Sequence, residues 1–369
     1  MRFFLFPITL LLLSACSKAK SPLIVPSEYD STTFINNITN QDVLRLQYNT
    51  LLAEVRKGRI SGQVVQYNQL STLLNTGEPS LKMCSTPYFA TQMDTTTVGW
   101  LADLAESSGQ TYIPGLSSTQ GGVYHGYLFN EKGLEIEQLI EKGLLNAAFY
   151  YQVTQLIQDG VTLEEVDQMV ALFGANPTFP NTSNAAKTST PDLLMARYAA
   201  QRDKNDATGL YSRIKEAFIR LQAAVQAGDK YQPEQDKAVA DILVLWEKIS
   251  FASTIYFCER FRAIMSKSNI EEAERAQALH HYAEAVGMIY GWRTIAKDYK
   301  MMSDPEIDVL LSRLRVAPGM SAQSYLFIID PYNAFPNIFQ VEQTIQVKYQ
   351  FTQAEMEDFK KDWVLEQGR

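Results

Sequence analysis

Apolar residues recur along most of this chain at spacings of three and four, the period of a helix with one face in a core. Between Gln41 and Lys57, the residues Leu44, Tyr48, Leu51, Leu52 and Val55 share one stripe, and Gly58 marks its end. A shorter helix is predicted from about Gly62 to Leu74, and another apolar helical piece around Val98 to Ala105. The stretch SSTQGGVYHGY at 117–127 reads as loop, with His125 exposed on it. From Glu131 the helical period resumes: Ile136, Leu139, Ile140, Ala147 and Tyr151 fall on one face, flanked by Glu137 and Glu141. The loop GANPTFPNTSNAAKTST at 174–190 is the best internal boundary, dividing 30–180 from 190–369. Long helical stretches are expected over 191–227, 233–267 and 270–299. Ser303, followed by Pro305, marks a further helix start. No strand alternation interrupts the second half. The pattern defines an all-α protein, a large helical bundle.

The N-terminus departs from that pattern. In MRFFLFPITLLLLSACSK, Arg2 precedes an apolar run too short for a permanent span, and Leu13-Ser14-Ala15-Cys16 resembles a bacterial lipobox. Residues 1–15 are therefore expected to be a signal peptide, Cys16 the lipidated first residue, and 16–29 a tether. Lipid on Cys16 would make the membrane a partner, and Ser17 favours an outer-membrane anchor facing the periplasm. A formal net charge of −8 with no basic run argues against nucleic acid as a partner. Two cysteines remain, Cys84 and Cys258, and their spacing leaves a disulfide open.

Two of the three histidines lie in HHYAEAVGMIYG, residues 280–291. On a helix His280, Glu284, Gly287 and Gly291 form one line, and His281 reaches Glu284 at i, i+3. An imidazole and a carboxylate on one face are two ligands for iron or zinc, and a site needs three or four. Glu137 and Glu141 are the carboxylates expected to complete it, with Glu247 and Tyr290 as weaker candidates. The plainer reading is a tight helix contact through Gly287 and Gly291, with the histidines and Glu284 as structural polar groups. Glu137 and Glu141 likewise fit a solvated helix edge beside Lys142. Tyr150, Tyr151, Tyr256, Phe257, Tyr290 and Trp292 fit a cleft for haem or, more simply, bundle core.

Four stretches also carry a family resemblance: YLFNEKGLEIEQLIEKGLLNAAFYYQ at 127–152, VLWEKISFASTIYF at 244–257, HHYAEAVGMIYG at 280–291 and, more weakly, FGANPTFPN at 173–181. They resemble the bacterial lipoproteins grouped as domain of unknown function 4856, a family similar to the imelysin-like, iron-regulated lipoproteins. The resemblance implies two packed imelysin-like helical halves and a role in iron, metal or haem acquisition at the envelope. Imelysin-like proteins carry Gly-x-His-x-x-Glu; here His281-Tyr282-Ala283-Glu284 keeps the last part, with Leu279 in place of the glycine. A first-half histidine motif of the unknown-function family is replaced by Glu165 and Gln168.

Enzyme chemistry is poorly supplied. The chain has no His-Glu-x-x-His, no Gly-x-Ser-x-Gly and no phosphate-cradling glycine loop, and Cys258 sits in an apolar run. Two functional expectations follow. One is an envelope lipoprotein whose helical ectodomain binds a ligand, with iron, zinc or haem as the candidate cofactor. The other is a helical scaffold that docks a protein partner such as an outer-membrane receptor.

Overall fold

A computed structural model describes residues 21–95, 99–116, 120–317, 319 and 322–369. The expected signal peptide and Cys16 lie outside the described residues. Among those residues, helices are joined by short turns, with one two-stranded sheet, and no helix is long and apolar enough to cross a membrane. The all-α class holds.

Four helices organise the interior. The helix Gln232–Met265, about 51 Å long at 1.5 Å per residue, is buried all round from Ile249 to Ile255 and amphipathic toward its start. A helix without a polar face must be surrounded, and Leu210–Gln226 and Glu272–Tyr290 pack along it. Glu272–Tyr290 in turn lies against Ile136–Leu144, where every residue is buried. Glycine permits that last contact. A Cβ on Gly287 would stand 2.4 Å from the Gln138 carbonyl oxygen, and one on Gly291 2.3 Å from that of Gly143. The tight contact read from the paired glycines is therefore present. Ser250 links the central helix to the segments that continue beyond Leu144 and beyond Tyr290. Its hydroxyl accepts from Asn146 Nδ2 at 3.1 Å and from Trp292 Nε1 at 2.9 Å, and Asn146 Nδ2 also reaches the Met288 carbonyl. Around this centre one connected apolar core runs from Tyr29 to Val364.

Several boundaries differ from the sequence expectation. The helix expected over 62–74 begins at Tyr67, and the stretch expected over 270–299 forms a helix only over Glu272–Tyr290. The stretch 191–227 is not continuous: Leu194–Arg202 and Leu210–Gln226 are separated by a turn. There buried Asp203 accepts from the backbone N–H groups of Asn205 at 2.6 Å and Ser212 at 3.0 Å, so the chain turns around a carboxylate that also caps the next helix. The 117–127 stretch ends in a hairpin rather than plain loop. Strands β1 (Gly121–Tyr124) and β2 (Tyr127–Asn130) pair with Tyr124 opposite Tyr127. His125 and Gly126 form the two-residue turn, both with positive φ, which that turn type requires. His125 is exposed, as expected.

Beyond Leu144 the helix widens to a π turn over Leu145–Tyr150. The widening leaves the Ala147 carbonyl able to accept from Thr86 N–H at 2.8 Å, tying the N-terminal layer to the core. Cys84 and Cys258 are both free and buried, so the open disulfide question closes against pairing.

Candidate functional site

His280, His281 and Glu284 sit on the buried side of the Glu272–Tyr290 helix, and their potential ligand atoms lie within 4.8 Å of one another. The geometry is specific. Glu284 Oε2 faces both imidazoles, 2.9 Å from His281 Nδ1 and 3.6 Å from His280 Nε2. Its other oxygen, Oε1, faces Lys142 Nζ at 3.2 Å. The remaining nitrogen of His280, Nδ1, lies 2.6 Å from Glu135 Oε2. The ring of Tyr127 stacks on His280 with centroids 4.5 Å apart, fixing its plane. His281 Nε2 is buried without a protein partner.

Glu135, Glu137, Glu141 and Lys142 come from the facing segment, and all four are buried. Glu135 is held at the start of its helix and shares Arg59 with Glu137: Arg59 Nη2 reaches Glu135 at 2.8 Å and its Nε reaches Glu137 at 2.6 Å. Arg56 spans Glu137 at 3.0 Å and Glu141 at 2.6 Å. Lys142 bonds Glu141 at 2.7 Å as well as Glu284. The solvated-edge reading of Glu137 and Glu141 is therefore overturned. A hydrophobic stripe marks only the most apolar face, and here the helix is enclosed on all sides, so its charges are buried and must be paired.

Four buried carboxylates, Glu135, Glu137, Glu141 and Glu284, thus face Arg56, Arg59 and Lys142 directly, with the Arg197 guanidinium also acting on Glu141 and Glu284. The protonation pattern follows from these surroundings. Burial opposes the charge on Glu141 and Glu284, yet Lys142, joined by Arg56 at the first and the two histidines at the second, outweighs it and holds both near 2. Glu137 is raised to about 7, by burial first and then by the charge of Glu135. Burial disfavours protonated His280, but the adjoining Glu135 carboxylate prevails and raises it.

The other candidates lie elsewhere. Glu247 is buried and accepts from the backbone N–H groups of Met301 at 2.6 Å and Met302 at 2.8 Å, and from the Tyr349 hydroxyl at 2.7 Å. It ties a loop and a C-terminal helix to the central one. Tyr290 is nine residues beyond His281, about 13 Å along the helix. Its hydroxyl pairs with that of Tyr88 at 2.8 Å, beside a cleft of about 230 Å³ that Asp103 and Lys132 also line. Tyr150, Phe257 and Trp292 are core. Glu165 serves in a capping box with Thr162, and Gln168 bonds Glu164 and the Asn37 carbonyl.

Sequence reasoning joined His280, His281 and Glu284 but missed Glu135, Arg56, Arg59 and Lys142 as their surroundings. The available signal for Glu135 was its place in Gly133-Leu134-Glu135, ahead of the helix. Compared with profiles of known families, with curated proteins and with solved structures, the chain matches none.

Proposed function

We propose that this is a lipid-anchored envelope protein whose helical ectodomain binds a divalent transition metal, zinc or ferrous iron, through His280 Nε2, His281 Nδ1 and Glu284 Oε2. One observation carries the reading: three ligand-type atoms converge while a second carboxylate, Glu135, holds the far nitrogen of His280. Two ligands at zinc distances around a tetrahedral centre lie about 3.3–3.6 Å apart; His280 Nε2 and Glu284 Oε2 are 3.6 Å apart, whereas His281 Nδ1 hydrogen-bonds Glu284 Oε2 at 2.9 Å, so an ion would have to displace that bond. A carboxylate on the non-ligating nitrogen selects the tautomer and raises the basicity of a metal-binding imidazole. Three protein ligands leave a fourth position for water or for a group on a delivered ligand. Glu137 and Glu141 are occupied by Arg56, Arg59 and Lys142, so they act by balancing charge rather than by ligation.

In this reading the anchor on Cys16 holds a metal-binding accessory at the outer membrane, facing the periplasm, in line with the family resemblance. The test is the metal content of the full-length protein, purified in detergent without a histidine tag, followed by zinc and ferrous-iron titration. Near-stoichiometric binding is expected, lost in His281→Ala/Glu284→Gln and weakened about 10–100-fold in Glu135→Gln. Absence of binding, or equal binding by the double variant, would reject the metal reading in favour of a scaffold that docks a protein partner.

A further inference from the structure

A separate cavity of about 490 Å³ opens between the N-terminal segment Val25 to Ser27 and the Leu210–Gln226 helix, and shares no residue with the histidine cluster. Its size falls in the range of small-molecule sites, about 300–1,000 Å³. We propose that it binds a small zwitterion of the amino-acid or short-peptide type.

The floor provides the first argument. Asn181 is buried, and its Nδ2 donates to Asp203 Oδ1 at 3.3 Å and to Asn205 Oδ1 at 3.0 Å. Those two acceptors fix the amide orientation, because only the NH2 end can face them. Asn181 Oδ1 therefore points away from them, buried and without a protein donor. A buried acceptor left unpaired costs about 1–3 kcal/mol, and a ligand N–H would satisfy it once the Asn181 side chain shifts toward the cavity.

The backbone provides the second. Four non-glycine residues with positive φ line this one cavity: Phe179 at 48°, Asn181 at 51°, Asn205 at 58° and Ala207 at 68°. Asparagine tolerates that region, whereas Phe179 and Ala207 are strained in it, and such strain gathers at ligand clamps. The surrounding packing holds these turns in place: the Arg369 guanidinium donates to the carbonyls of Asn181, Ala200 and Asp203.

The rim identifies the ligand. Lys215, Glu216 and Arg220 all line the cavity, and none has an ion-pair partner among the described residues. Two unpaired cations suit a carboxylate, while Glu216 together with Asn181 Oδ1 suits an ammonium. Val25, Pro26, Phe179, Tyr211 and Ile219 supply apolar wall for a side chain between the two charges.

Access is through the N-terminal segment. Ser21 is clipped by the Tyr231 hydroxyl at 3.1 Å and Tyr29 by Asp167 at 2.6 Å. No hydrogen bond to residues 22–28 is present among the described residues, so the wall formed by Val25 to Ser27 can lift without breaking one.

The experiment is calorimetric titration of the full-length protein in detergent with the dipeptide leucyl-leucine, its N-acetyl form and its C-terminal amide. The free dipeptide should bind, and each blocked form should bind at least tenfold more weakly. Lys215→Glu/Arg220→Glu reverses two unpaired surface charges and should weaken binding about tenfold or more. Ser27→Trp, on the exposed N-terminal segment, should fill the cavity and abolish binding while leaving the thermal transition in place. No heat with the dipeptide, equal affinity for the blocked forms, or binding unchanged by both variants would overturn the proposal.

Discussion

Replacing Gly287 by alanine tests the packing on which the whole histidine cluster depends. The new methyl carbon would lie 2.4 Å from the Gln138 carbonyl oxygen and 3.0 Å from Lys142 Cβ. Cβ atoms essentially never approach closer than 3.0 Å, so the two helices must part by at least 0.6 Å at this point. The obstructing atom is backbone inside a fully buried helix, and no rotamer change relieves it. Overpacking of this kind costs about 1–3 kcal/mol, and the rigidity of the carbonyl places the cost at the upper end. Alanine's better helix propensity returns about 1 kcal/mol, leaving a net loss of about 2 kcal/mol. For a chain of this size that lowers Tm by about 2–4 °C. Chemical denaturation followed by circular dichroism measures the loss directly. The displacement also moves Glu284 away from Lys142, so zinc affinity should change with it. A neutral or stabilised Gly287→Ala protein would refute the close contact, since propensity alone would then be acting.

Three further outcomes follow from the charge cluster and its neighbours. Arg59→Met leaves Glu135 and Glu137 short of their shared guanidinium and should cost about 3 kcal/mol, read by urea denaturation at neutral pH. A loss below about 1 kcal/mol would mean the pair is solvated. Glu247→Ala removes the acceptor of two backbone N–H groups and a buried hydroxyl, and should cost about 2–4 kcal/mol with little effect on metal binding; loss of metal instead would place Glu247 in the site. Stability should peak near about pH 5. Glu141 and Glu284, held near 2, contribute stability above their ordinary value of 4.5 that is lost as pH falls toward 2. Glu137, Asp192 and Glu342, raised to about 7, contribute stability at low pH that is lost as pH rises through 7, and raised His280 adds to the same loss above 6.5. A Tm that climbs from about pH 5 to about pH 8 would contradict these protonation states.

Local sequence determined much of this protein. The spacing of Leu44, Tyr48, Leu51 and Val55 dictates a helix because apolar side chains three and four apart need one buried face. Ser303 and Glu306 form the capping box that starts a helix where Ser303 was expected to. The i, i+4 relation of His280 and Glu284 and the pairing of Gly287 with Gly291 are properties of one helix, so they were readable without a partner. Tertiary structure alone decided which charges are buried. Glu137, Glu141 and Lys142 look like a solvated edge in sequence, because hydropathy cannot tell a charge facing water from a charge facing an arginine eighty residues away. The same holds for Glu135 on His280, 145 residues apart, and for Asn181 Oδ1 at the base of its cavity. Such contacts depend on how helices are arranged in space. That arrangement is set by close approach at Gly143, Gly287 and Gly291 and by the one core they share, a sum over the whole chain that no short window of residues contains.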